Sequence, residues 1–222
     1  MKVIFDFDDV IFNAKAFKET LFATLKARGY DDVKTKYDVM RKSEDTFSLL
    51  SFLRHVTFDS SEEYVMSLYE EIMQRCPNLV NEEVHEVINE LGKENCYIVT
   101  HGDKDFQLDK IQRSIGLSSV KEIVVVSGSK AEAIKMLCDR HSNEEVIFVD
   151  DKLLFINDLP VTECQNLKTV LFNHNGHINL TAEIAESRRV EVKAFNESDN
   201  TRNVLIEKTT HNQVFDQQFS LR

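Results

Sequence analysis

Five short runs rich in Val, Ile and Phe constrain this chain most: KVIFDFD, CYIVTHG, EIVVVSG, VIFVDD and LKTVLFN. Each breaks off at polar or small residues, and such near-continuous apolar content suits strands covered on both faces, as in a parallel sheet. Helical patterns fill the gaps between the last four. In DKDFQLDKIQRSIGL, Leu108, Ile111 and Ile115 fall at helical spacing, with Asp103 as N-cap and Gly116 as the stop. In KAEAIKMLCDR, Ile134, Leu137 and Cys138 repeat the pattern. Strand alternating with helix predicts an α/β fold built on a doubly wound parallel sheet.

Between the first two runs lie about 80 residues that read as helix only. AKAFKETLFATLKARG places Phe17, Leu21 and Leu25 on one stripe and stops at Gly29. SSEEYVMSLYEEIMQRCP places Val65, Leu68, Ile72 and Met73 likewise, with Ser60 and Glu63 in capping-box register and Pro77 ending the helix. NEEVHEVINELG buries Val84, Val87, Ile88 and Leu91, stops at Gly92 and leads back into the sheet. The expected layout is therefore an α/β core from 1–13 and 81–190, a helical insertion over the strand ends at 14–80, and an extension at 191–222. In that last stretch VEVKAF and NVLIEK, separated by NESDNTR, have the pattern of a β-hairpin.

At 222 residues the chain can bury a sizeable core without staples. Twenty-seven Lys and Arg against 38 Asp and Glu give a net charge of −11, which repels nucleic acid and anionic membranes at long range. A phosphorylated ligand must then be attracted locally. Cys76, Cys96, Cys138 and Cys164 are well separated, with no pair at metal-ligand spacing, and read as free thiols. The first residues read as a strand rather than a signal peptide, and no apolar run approaches the roughly 18 residues of a membrane span. The expected setting is cytoplasmic. Nothing in the pattern specifies an oligomeric state.

The first run carries a conflict. Asp6, Asp8 and Asp9 put three carboxylates in four positions at a strand end, where they repel one another and resist burial. A bound cation resolves it. In an open α/β sheet ligands bind at the carboxyl ends of the strands, and here those ends carry Asp6 and Asp8, then Thr100, then a loop to Lys130, then Asp150 and Asp151. Carboxylates from two strands are hard oxygen ligands suited to Mg²⁺, whereas a hydroxyl, a lysine and helix N-terminal amides suit a phosphate. Asp6 and Asp8 alone would read as a solvated turn; joined to Asp150 and Asp151 they read as a site. Lys130 at a helix start opposes the helix dipole, which an anion lying between them would explain. His174 and His177 read as loop histidines, since no carboxylate or thiol completes a metal set, and Asp158 reads as a helix-surface acid.

Taken together these segments resemble the haloacid dehalogenase-like superfamily. DFDDV is similar to its first motif, Asp-x-Asp-x-Thr/Val; YIVTHGDKDFQLDKI to its Thr/Ser strand end, Gly turn and Gln-x-x-Lys helix; Lys130 in SGSKAEA to its lysine; and FVDD to its paired acids. The order and contexts match over about residues 1 to 172, and the helical insertion falls where many members carry a cap. The chemistry of the residues and the resemblance imply the same roles. Asp6 would attack phosphorus; Asp8 would protonate the leaving oxygen and then deprotonate water, its main-chain carbonyl also binding Mg²⁺. Asp150 and Asp151 would complete the Mg²⁺ site with Asp6. Asp9, Thr100, His101, Gly102 and Lys130, partly through backbone amides, would hold the phosphoryl oxygens. Asp9 stands where relatives often have Gly, and adds negative charge near the entrance.

The leading expectation is a Mg²⁺-dependent phosphatase acting on a small soluble phosphate ester chosen by the cap. A phosphomutase would need the cap to exclude water and retain a bisphosphate. A non-catalytic phosphate-binding or regulatory protein would have no need of both Asp6 and Asp8. A dehalogenase requires neither a second aspartate for the leaving group nor a metal. Arg41, Lys42, Arg54 and His55 are candidate contacts to an anionic substrate, against the reading of a solvated helix face.

Overall fold

The computed structural model describes residues 1–160 and 162–172, together with the backbone of 193–195 and 201–203. Five parallel strands form one sheet: β1 (Lys2–Phe5), β2 (Cys96–His101), β3 (Glu122–Val126), β4 (Val146–Asp150) and β5 (Leu167–Leu171), in the order β3-β2-β1-β4-β5. The first strand thus lies in the middle. Chain order runs outward from it in both directions, which opens a crevice at the strand ends beside β1.

Alternation along each strand divides the core in two. Val3, Phe5, Cys96, Ile98, Ile147 and Val149 face one side; Ile4, Tyr97, Val99, Val146 and Phe148 face the other. The second side is covered by α7 (Ala131–Arg140) and α8 (Leu153–Asn157), through Ile134, Leu137, Cys138 and Ile156. The first is covered by α5 (Glu82–Leu91) and α6 (Lys104–Ser114), through Val84, Ile88, Phe106 and Ile111. Covering both faces is what lets the strands be apolar nearly throughout. Of these five strands only the edge strand β3 is half-buried along its whole length.

Four helices separate β1 from α5: α1 (Ala14–Ala27), α2 (Val33–Ser43), α3 (Leu49–Val56) and α4 (Glu62–Met73), followed by a 3₁₀ turn at Cys76–Leu79 that opens around Pro77. Their Leu21, Leu25, Phe52, Leu68 and Ile72 join Phe5, Ile98 and Val149 in one continuous buried cluster. Burying a side chain such as Phe52 is worth about 1.5–3 kcal/mol.

Side-chain caps set the starts of α1, α3, α4 and α6. Asn13 Oδ1 accepts from the Ala16 amide at 2.8 Å, and Asp103 Oδ1 from Phe106 at 2.9 Å. For α4 the cap is Ser61 rather than the expected Ser60. Ser60 belongs to the preceding turn, its amide donating to the Thr57 carbonyl at 2.9 Å. His174 and His177 lie outside the described residues, as does all of 191–222 apart from β6 (Lys193–Phe195) and β7 (Thr201–Asn203), which pair antiparallel.

Candidate active site

The sheet register brings the acids together. Phe5 pairs with Val149, so Asp6 and Asp150 follow side by side as β1 and β4 run out, and the Asp6 amide donates to the Val149 carbonyl at 2.8 Å. Both side chains are buried. Lys130 at the start of α7 bridges them: its Nζ lies 2.8 Å from Asp6 Oδ1 and 2.6 Å from Asp150 Oδ2. The anion that reconciles Lys130 with its helix dipole is thus supplied first by the chain's own aspartates. Its ammonium also sits 4.4 Å from the ring centre of Phe155 and 5.7 Å from that of Phe148. The second Asp150 oxygen accepts from the Lys152 amide at 2.7 Å, and Asp6 Oδ1 from the Phe7 amide at 2.7 Å.

Burial, and then the neighbouring charge of Asp6, push the Asp150 carboxyl above its ordinary range against the pull of Lys130. Asp151 is pushed up to about 7 by burial, which outweighs the attraction of Lys152. One Asp151 oxygen, Oδ1, is buried without a hydrogen bond, its closest cation being Lys152 Nζ at 3.5 Å. The lysine responds in kind. Burial lowers the Lys152 ammonium, but the charges of Asp151, Asp6 and Asp150 overcome it and raise it.

Asp8 has different company. Its Oδ1 lies 2.5 Å from Lys110 Nζ, and its Oδ2 accepts from Gln107 Nε2 at 2.8 Å, both donors projecting from α6. Burial alone would raise this carboxyl; the charge and hydrogen bond of Lys110, with that of Gln107, outweigh it and hold Asp8 below its ordinary value. Lys110 is itself buried, and its Nζ is 4.8, 5.2 and 5.5 Å from the ring centres of Phe106, Phe12 and Phe7.

Asp9 sits in a left-handed turn at φ 62°. Asp and Asn tolerate that region better than most side chains, and Gly adopts it freely, which is the physical reason for a small or short polar residue here. The Asp9 amide donates to the Phe12 carbonyl at 2.6 Å, and its Oδ1 accepts from the Ala14 amide at 3.0 Å. As placed, then, Asp9 closes the turn and stabilises the start of α1, so its amide is spent within the chain. The Gly102 amide is likewise spent, donating to the Val126 carbonyl at 2.9 Å. Gly102 serves by its lack of a side chain: a Cβ there would meet Gln107 Nε2 at 2.7 Å. The two amides expected to hold a phosphate are therefore both engaged in local structure.

Thr100, at the end of β2, is 1% exposed and its Oγ1 has no hydrogen-bond partner. A buried hydroxyl in that state costs about 1–3 kcal/mol, which a ligand oxygen would relieve. His101 is half-buried, with Nε2 3.2 Å from the Ser127 carbonyl. Of the candidate substrate contacts, Arg54 pairs with Glu62 at 2.5 Å, while Arg41, Lys42 and His55 are exposed in the last turns of α2 and α3. Asp158 caps the end of α8 and accepts from Ser129 Oγ.

No family profile matches the chain, and no curated protein does. Solved structures do. A haloacid dehalogenase-like hydrolase from Burkholderia xenovorans LB400 superposes with a TM-score of 0.59 at 18% identity, covering 79% of this chain and 84% of that one. The chain has the haloacid dehalogenase-like fold. The L-2-haloacid dehalogenase of Xanthobacter autotrophicus, with chloropropionic acid covalently bound, gives a TM-score of 0.51 at 13% identity over 83% of this chain and 82% of that one. A 2-haloacid dehalogenase from Pseudomonas syringae pv. Tomato DC3000 gives 0.50 at 12% identity over 84% and 97%.

On this haloacid dehalogenase-like fold, carboxylate oxygens of Asp6, Asp150 and Asp151 lie within 4.8 Å of one another. Counting Asp8 and Asp9, five carboxylates face the three lysines 110, 130 and 152, an imbalance of two negative charges when all are ionised. Hard oxygen donors, a buried Asp151 oxygen without a hydrogen bond and that imbalance fit a divalent cation such as Mg²⁺. The sequence reading missed Gln107 and Lys110 as partners of Asp8, although their spacing of three on a helix already put them on one face. It also missed Lys152.

Proposed function

We propose that the chain is a Mg²⁺-dependent phosphomonoester hydrolase acting on a small phosphate ester through an aspartyl-phosphate. The observation that carries this reading is the Lys130 bridge between Asp6 and Asp150, grouped with Asp151, whose Oδ1 is buried without a hydrogen bond, while Asp8 lies two residues along and the buried Thr100 hydroxyl at the end of the neighbouring strand β2 has no hydrogen-bond partner. Asp6 is the nucleophile: its carboxylate attacks phosphorus in line, and the ester oxygen leaves. Lys130 holds Asp6 in place and offsets charge as the phosphoryl group approaches, while Thr100 donates its hydroxyl to a phosphoryl oxygen.

Asp6, Asp150 and Asp151, with the Asp8 carbonyl, would hold Mg²⁺, which neutralises phosphate charge when bound. Asp8 is the proton carrier. Ionised at rest, it is ready to take a proton from water in the second step; a phosphate dianion arriving beside it raises its proton affinity for the first. Helices α1–α4 act as the cap that selects the ester, in a cytoplasmic protein that engages neither nucleic acid nor membrane.

The test is hydrolysis of p-nitrophenyl phosphate and glycerol phosphate, each with a chelator and with Mg²⁺ restored. Mg²⁺-dependent release of phosphate is expected from both; no release from either overturns the reading. Two of the similar structures are haloacid dehalogenases, so 2-chloropropionate belongs in the same assay. Chloride release without phosphate release would make the chain a dehalogenase instead. A mutase would transfer rather than release phosphate in the presence of a sugar bisphosphate.

A further inference from the structure

Helix α6 places two polar residues on Asp8 from inside the core. Lys110 is 3% exposed and Gln107 4%, and between them they occupy both oxygens of the Asp8 carboxylate. The arrangement is built in several parts. Gln107 Nε2 donates both to Asp8 Oδ2 and to the His101 carbonyl at 3.1 Å. Both partners are acceptors only, so the amide has one permitted orientation. Gly102 lacks the Cβ that would collide with that amide. Lys110 reaches Asp8 through a ring of Phe7, Phe12 and Phe106.

Core packing alone does not call for this. An apolar side chain among three phenylalanines would fill the volume of Lys110 without the cost of desolvating an ammonium, and buried ion pairs commonly gain little over such a replacement. A carboxylate held by one donor swings about χ2; held by two from one rigid helix, it keeps a single orientation.

We propose that Gln107 and Lys110 are positioning residues that act through Asp8, a two-point grip that fixes the direction in which its carboxylate meets the ester oxygen. The inference rests on the phosphatase reading for what Asp8 does, but the grip itself can be observed without turnover. Esters differ in how much they need Asp8. The p-nitrophenolate group departs without a proton, whereas the alkoxide of glycerol phosphate requires one.

Two measurements on the full-length protein test this. In the first, the Asp8 carboxyl carbon is followed by NMR, assigned by its loss in Asp8→Asn. Its resonance is expected to move in both Lys110→Met and Gln107→Met, and an unmoved resonance overturns the grip whatever the protein turns over. In the second, Lys110→Met is expected to lower kcat on glycerol phosphate roughly 10²-fold and on p-nitrophenyl phosphate less than about 5-fold, with KM little changed. In an Asp8→Asn background the same change should cost less than about 3-fold on either ester, because its effect runs through Asp8. Equal losses on both esters, or a full loss persisting without Asp8, would make Lys110 a structural residue. If Lys110→Met does not fold, Gln107→Met is read by the same two measurements, with a smaller expected loss. If wild-type protein hydrolyses neither ester, the phosphatase reading fails on that result and the grip stands or falls on the resonance.

Discussion

At Asp6 the requirements of chemistry and of folding pull apart. The carboxylate is buried against Asp150 and tolerated because Lys130 lies between them. Asp6→Asn is nearly isosteric and keeps one oxygen for Lys130, so turnover should fall to background while the protein remains folded and still binds inorganic phosphate. Near-wild-type phosphatase activity in that variant would remove Asp6 from the mechanism. Asp150→Asn would remove one charged ligand of the proposed Mg²⁺ site and should raise the Mg²⁺ concentration for half-maximal rate, measured by titrating metal into chelator-treated protein. Asp151 and Asp8 give opposite pH signatures in metal-free protein. Asp151 ionises near 3.8 when unfolded but near 7 when folded, so its contribution to stability is complete below 3.8 and is lost as pH rises through about 7. Asp8 is lowered by folding, so its contribution is present above 3.8 and is lost on acidification through the depressed value. Urea midpoints against pH should therefore fall between about pH 4 and 7, and Asp151→Asn should flatten that fall. The acids were legible in the sequence because three carboxylates at a strand end demand compensation. The engagement of the Asp9 and Gly102 amides was not, because a backbone donor looks the same in a sequence whether free or bonded.

Among the elements, α6 is tied on two sides. One side grips Asp8. The other meets α4, where the Tyr69 hydroxyl donates to Asp109 at 2.7 Å and Arg113 forks onto Glu70 at 2.8 and 2.9 Å. That fork is partly solvated and worth at most about 1 kcal/mol, so apolar contact does most to hold the insertion. Phe52→Ala, on the fully buried face of α3, should cost about 3–5 kcal/mol in urea denaturation, well above the effect of Arg113→Ala. Helices with a strong stripe, such as α4 and α5, were readable one by one. Helix α2 was not: only Val33 is buried in it, and VKTKYDVMRKS offers little apolar period. The cap of α4 was misplaced by one residue because Ser60 and Ser61 are equally good caps until the turn before them is known.

For the molecule as a whole, alternation of strand and helix revealed the class, since it records which residues are buried. Strand order was not legible, because periodicity says that a strand is covered but not which strand lies beside it. Among the described residues no helix is long and apolar enough to cross a membrane. The apolar cluster that runs from the sheet into α1–α4 predicts one cooperative transition, with fluorescence of the insertion tyrosines Tyr30, Tyr37, Tyr64 and Tyr69 and backbone circular dichroism changing together in urea. Two separated transitions would mean that the insertion folds by itself. The central position of β1 has a consequence in time. Val3 pairs with Cys96 on one side and Ile147 on the other, so the strand that carries Asp6 is translated long before either neighbour. At about 5–20 residues per second it waits roughly 7–30 s for the second of them. During synthesis its apolar run is an unpaired edge, open to the wrong partner. The first-made strand of the site stays incomplete until β4, which carries Asp150, has been made.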